Sequence, residues 1–284
     1  MLGKINISQS LALVSIVLAF FVTYFLSDRF IIYAFIVFGQ AHFLVSYLYT
    51  YKSGKLNDMY LTKMCVFLIA IVGLYFLTSF PSHGSKLPPL FILLALFLFT
   101  MHYIHDEIKI GTTALFTSKI LGSLAVSCVF LSFFLTTLYS HPFRIAVNIF
   151  VLLAIVFACV FVYKNRETFQ KEYIFWLFFS GNFFVPLYLL IYGGASRDQI
   201  AGFIILFHYI RWYLHYLYVF KDRVRTTYIQ NIILCNGICL ALFFLFYFYY
   251  PFSFLYIFFS PLFFYGWTML HILLSARKND FTLR

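Results

Sequence analysis

The sequence predicts an all-α fold, a polytopic membrane helix bundle of about ten transmembrane helices forming one transmembrane domain over residues 1–284, with both termini cytoplasmic. Three observations predict it. The chain is 63% hydrophobic and 24% aromatic with only 10% charged residues, whereas about a quarter of the residues of a soluble domain are charged. Ten apolar runs, each about the 20 residues that cross a bilayer as a helix, lie between charged or Pro/Gly-containing breaks. With the N-terminus inside, fifteen Lys and Arg residues fall on inner segments and four on outer loops, which matches the bias that keeps positive charge cytoplasmic.

The first run, 8–27, contains SQSLALVSIVLAFFVTYFL, longer than a secretory hydrophobic region and without a small-residue cleavage site before Asp28. It is expected to be a retained helix. The second, 30–51, ends at Lys52, and the third and fourth, 60–80 and 89–109, flank the outer loop PSHGSKLPP. The fifth and sixth, 113–140 and 143–163, turn through SHPF, and the basic linker KNRETFQKE leads into the seventh, 173–193. The eighth, 198–220, is closed by KDRVR, and the ninth and tenth, 227–250 and 252–275, meet at Pro251. Pro186 and Pro261 are expected to break helices 7 and 10, because proline lacks the N–H of the helical ladder. Asn182 and Asn236 add polarity inside helices 7 and 9.

Several function classes drop out. The formal charge of +11 follows from the inner loops, with attraction to an anionic inner leaflet as a further consequence, so no nucleic-acid partner is expected. Cys65, Cys128, Cys159, Cys235 and Cys239 all fall inside proposed helices and read as small apolar residues, not as a disulfide frame. The chain has no nucleotide-binding glycine loop, nucleophile motif or low-complexity segment.

The histidines carry the signal. His83 and His141 sit in outer loops, but the other six lie in even-numbered helices: His42 in helix 2, His102 and His105 in helix 4, His208 and His215 in helix 8, and His271 in helix 10. Lys52 follows His42 by ten residues, Lys109 follows His102 by seven, Lys221 follows His215 by six and Arg277 follows His271 by six. At 1.5 Å per residue those four lie roughly 9 to 15 Å from the cytoplasmic boundary, and His208 lies about two turns deeper. His102, His105 and Asp106 share one helix face, as do His208, Arg211 and His215. Ser46 is one turn from His42.

Ionisable groups in hydrocarbon are costly and usually face a bundle interior or cavity. The expectation is one pocket in the inner half of the membrane where these imidazoles meet. Neutral imidazole suits iron, zinc, copper and nickel; iron as Fe2+ is the first expectation and zinc the second. Asp106 and Glu107 are the carboxylates at that depth. Asp106 is a candidate catalytic group, as ligand or as hydrogen-bond partner of a ligand, unless the pair is merely an interfacial partner of Lys109. Arg211, a candidate catalytic residue in mid-helix, either pairs with an acid such as Asp106, binds a substrate oxygen, or snorkels inward past His215.

The stretches VFGQAHFLVSY, LFTMHYIHDE and IILFHYIRWYLHYL resemble the histidine-bearing helices of the bacteriorhodopsin-related-protein family of integral membrane carotenoid dioxygenases. Gly39 to His42 is similar to that family's Gly-x-Pro-His, with Ala41 at the proline and Ser46 at its aspartate. His102 resembles its His-Phe element. Phe207-His208 with Arg211 is similar to its His-x-x-Arg-His, with Trp212 in place of the second histidine and His215 nearby. The resemblance implies one iron held by histidines from several helices and cleavage of a carotenoid drawn sideways from the bilayer.

Other classes compete. A diiron desaturase would need HxxHH boxes, and the chain offers only HxxHDE. A zinc-dependent membrane lipid hydrolase would use three ligands and an open position for water, with Ser46, Asp106 and Ser275 to hand. A proton- or metal-coupled transporter also places polar groups at one depth beside broken helices. The expected setting is a bacterial inner membrane, and the expected partners are membrane lipid and a hydrophobic small-molecule substrate.

Overall fold

The computed structural model describes residues 7–52, 119–138, 144–167, 180–191, 196–248 and 253–275, together with residues 62, 65, 66, 69, 99, 102, 103 and 106. Among these residues every element is helical. In chain order they are α1 (Ile7–Phe25), α2 (Asp28–Lys52), α3 (Lys119–Leu138), α4 (Arg144–Lys164), a π-helical turn (Ser180–Phe184), α5 (Val185–Ile191), α6 (Arg197–Val219), α7 (Asp222–Phe248), α8 (Ser253–Phe259) and α9 (Pro261–Ser275). They match eight of the ten apolar runs; the runs at 60–80 and 89–109 lie largely outside the described residues.

Among the described residues three helices are long and apolar enough to cross a membrane: Phe30–Tyr49, Ile145–Lys164 and Arg223–Phe248. On α4 and α7 large apolar side chains stand in the open, among them Ile145, Leu152, Ile233 and Leu234. Water does not favour that arrangement, and lipid does. Cys65 and Cys159 are exposed thiols and Cys128, Cys235 and Cys239 buried ones, with no disulfide.

The chain divides into two compact units, Met1–Phe35 with Tyr103–Arg225, and Ile36–His102 with Thr226–Arg284. In the first unit α1 packs along α6 and α3 pairs with α4. The start of α6 is fixed by a capping box: Ser196 Oγ accepts from the Gln199 N–H at 3.1 Å, while Gln199 Oε1 accepts from the Ser196 N–H at 2.8 Å. The Ser196 hydroxyl also donates to Asp28 Oδ1 at 2.6 Å, and Gln199 Nε2 donates to the Thr23 carbonyl at 3.4 Å. Gly202 then lets α6 close on the α1–α2 corner, since a Cβ there would overlap Ile31.

Pro186 does not end its helix. It is the second residue of α5, directly after the π turn, and the helical path runs on from one into the other.

In the second unit the later part of α2 is accompanied by α7, α8 and α9. Tyr49 packs edge-on against Tyr228 at 5.3 Å between ring centroids and is held by Asn231 Nδ2 at 3.3 Å. Phe43 stacks on Phe264 at 5.9 Å. As expected of Pro261, the tenth apolar run is two helices, α8 and α9, parted at Ser260.

Candidate functional site

Three of the six expected histidines meet in the second unit. His42 points from the middle of α2 and His271 from α9, while His102 comes from a helical position one turn before Asp106. The His42 and His271 rings lie 4.9 Å apart, and the His102 and His271 rings 5.1 Å apart, centroid to centroid. Both contacts are edge to face, with interplanar angles of 67° and 85°. All three side chains are buried, at 0%, 9% and 3% exposure for His42, His102 and His271.

An aromatic collar surrounds them. Phe43 lies nearly parallel to His271 at 4.7 Å, and Tyr47 stands 6.2 Å from the same ring. Ser46, one turn from His42, is buried. The ring nitrogens of His42 and His271 and Nε2 of His102 are shut off from solvent.

The three side chains are of a type that ligates transition-metal ions, although as they stand the rings pack edge to face and their nitrogens do not converge on one point. With metal–nitrogen bonds of about 2.0–2.1 Å, two imidazoles on one tetrahedral ion have centroids roughly 5 Å apart, the spacing seen in both pairs. Because the rings here meet edge to face, closing on one ion requires that they turn about their Cβ–Cγ bonds. Three neutral nitrogen ligands suit iron or zinc and leave coordination positions open.

The first unit places its polar residues differently. His208, on α6, is buried and tilts against the Tyr103 ring at 5.1 Å. The Tyr103 hydroxyl donates to Asn182 Oδ1 at 2.6 Å, and both residues are fully buried. Asn182 sits in the π turn, where the widened helix carries Gly181 against Phe207; a Cβ on Gly181 would stand 2.5 Å from Phe207 Cζ. Single π turns inside α-helices often mark functional positions.

Arg211 is buried at 4% exposure, with its guanidinium 5.7 Å from the centre of the Phe207 ring, a cation–π contact. It does not snorkel to the open. His215 is half-buried beside Tyr216, whose phenol also feels the charge of the half-buried Asp106. His105 and Glu107, with the loop residues His83 and His141, lie outside the described residues.

No protein-family model, curated protein or solved structure matches the chain. The reading of the site therefore rests on its own chemistry. Two residues that the histidine pattern does not reveal are Tyr103 and Gln40. Tyr103 is one position past His102, a signal hidden by the chain's many tyrosines. Gln40 donates from Nε2 to the Phe258 carbonyl at 2.8 Å; its signal is a lone amide two residues before His42 in an apolar run.

Proposed function

We propose that this chain is a membrane-embedded metalloenzyme whose metal ion, iron before zinc, is held by His42, His102 and His271, and that it oxidises a hydrophobic, lipid- or carotenoid-like substrate taken from the bilayer. The observation that carries the reading is the packing of three buried imidazoles against one another in one unit. Neutral imidazole nitrogen is a ligand for such metals, and a single bound ion would engage all three rings together. Bound iron would supply dioxygen activation. Around it the chain's own residues have separate tasks: the imidazoles hold the ion, and Phe43, Tyr47 and Phe264 keep water out and offer apolar walls to a substrate.

The wider assignment belongs to the same proposal: about ten spans and cytoplasmic termini, and a bacterial inner membrane as the setting. The likeness of the three histidine stretches to the carotenoid dioxygenases supports iron over zinc. Asp106, Arg211, His208 and His215 belong to the first unit, and their part in catalysis is read from variants of each.

The test is to purify the protein aerobically in detergent, measure iron and zinc, record visible and EPR spectra, and assay dioxygen uptake and cleavage products with a carotenoid. Iron near stoichiometry with dioxygen-dependent product supports the enzyme. Zinc with no dioxygen uptake would move the reading to hydrolysis.

A second reading has its own observation. The interruption between α8 and α9 and the π turn before α5 are the kind of helix breaks around which ion-coupled carriers build their sites. A protein that purifies without metal and moves protons or metal ions across proteoliposomes would favour transport.

A further inference from the structure

The break between α8 and α9 lies on the N-terminal side of His271 in the same stretch of chain, and its hydrogen bonds are unusual. In an α-helix the carbonyl of residue i accepts from the N–H of residue i+4. For Ile257 that donor would be residue 261, which is proline and has no N–H. Instead the indole Nε1–H of Trp267 donates to the Ile257 carbonyl at 2.9 Å. The next carbonyl, Phe258, accepts from Gln40 Nε2 at 2.8 Å. The ladder otherwise continues across the break, with the Ser260 N–H on the Tyr256 carbonyl and the Phe264 N–H on the Ser260 carbonyl, each at 3.0 Å. The Trp267 ring also stacks on Phe258 at 5.4 Å with only 13° between planes.

These two side chains bracket the histidines. Trp267 precedes His271 by one turn on α9, and Gln40 precedes His42 by two residues on α2. We infer that Trp267 and Gln40 are positioning residues: by capping the carbonyls at the Pro261 break they fix the direction in which α9 leaves α8, and so hold His271 against His42. The inference rests on the metal reading for its consequence, but its hydrogen-bond logic stands apart from it. Neither side chain touches the metal in this scheme. Each acts through the backbone, where an uncapped carbonyl in a membrane interior would be costly.

The logic predicts a rescue. Trp267→Phe keeps an aromatic ring to stack on Phe258 but removes the donor, and Pro261→Ala supplies the backbone N–H that Ile257 lacks. The experiment titrates Co2+ into metal-free wild type, Trp267→Phe, Pro261→Ala and the double variant in detergent, following the visible absorption of bound cobalt and the thermal melting of each apoprotein. Trp267→Phe is expected to bind Co2+ about 10- to 100-fold more weakly, the range for residues that orient ligands, with an altered spectrum and a lower melting temperature. The double variant is expected to regain wild-type affinity, spectrum and melting. Unchanged affinity and spectrum in Trp267→Phe, or a double variant no better than Trp267→Phe, would overturn the inference. If Trp267→Phe does not fold, folding of the double variant supports the inference and its failure to fold overturns it. If wild type takes up no Co2+, the metal reading falls instead, and the melting pattern alone decides whether Trp267 and Pro261 are coupled as described.

Discussion

The two units solve the burial of polar groups in opposite ways. In the first, unlike groups are paired: the Tyr103 hydroxyl meets Asn182 Oδ1 at 2.6 Å, and the Arg211 guanidinium lies over the Phe207 ring. In the second, like groups are gathered: three imidazoles within ring contact, enclosed by Phe43 and Tyr47. A donor matched to an acceptor is complete within the protein and stabilises the fold. Imidazoles collected at one place share a single chemistry, and the proposed metal would call on the same group three times. The contrast separates paired polar groups from gathered ones inside one apolar chain.

The strongest way to break this contrast is to remove a ligand. His42→Ala, His102→Ala or His271→Ala should each weaken metal binding by more than the roughly 10- to 100-fold typical of supporting residues, with far smaller changes in melting of the apoprotein. If elemental analysis found full metal in all three, the second unit would be no different in kind from the first.

Acid should release metal from the second unit. Imidazole ligates only when neutral, so protons compete with a bound metal once the pH falls to the usual imidazole value of about 6.5. The stabilisation is then present above that value and fades as pH falls, with retention dropping up to about tenfold per pH unit for each protonated ligand. Metal content measured after equilibration across acidic buffers checks this; retention that rose on acidification would contradict neutral imidazole ligands.

Gly181→Ala would push a methyl group onto the Phe207 ring and should destabilise by about 1–3 kcal/mol, as overpacking does. Adding Phe207→Leu should return part of the loss. Metal content should be unaffected, because the change lies in the first unit.

The smallest expected effect is that of Tyr103→Phe. It deletes the hydroxyl that Asn182 accepts from, and hydrogen bonds between membrane helices average only about 0.6 kcal/mol. A shift of that size in detergent melting, without loss of metal, sharpens the distinction; loss of metal would erase it.

Much of the helical framework was legible because long apolar runs between charged breaks have few alternatives in a membrane. The edges of α1, α2, α4 and α6 fall within a few residues of expectation, while the tenth run keeps its end at Ser275 but is divided at Ser260. Pro261 announced its break, while beside Pro186 the helix changes from π to α without ending. The gathering of His42 and His271 was legible from equal depth on different helices. The Tyr103–Asn182 bond and the caps from Gln40 and Trp267 were not, because depth says nothing about azimuth, and which face of a helix turns inward is decided by packing between residues far apart in the chain.

Metal analysis of aerobically purified protein across a histidine series is the most direct measurement. Wild type, His83→Ala and His141→Ala should carry about one metal ion per chain, the number one three-imidazole centre holds, while His42→Ala, His102→Ala and His271→Ala should carry almost none. Equal metal content in all six proteins, or none in any, would contradict the account.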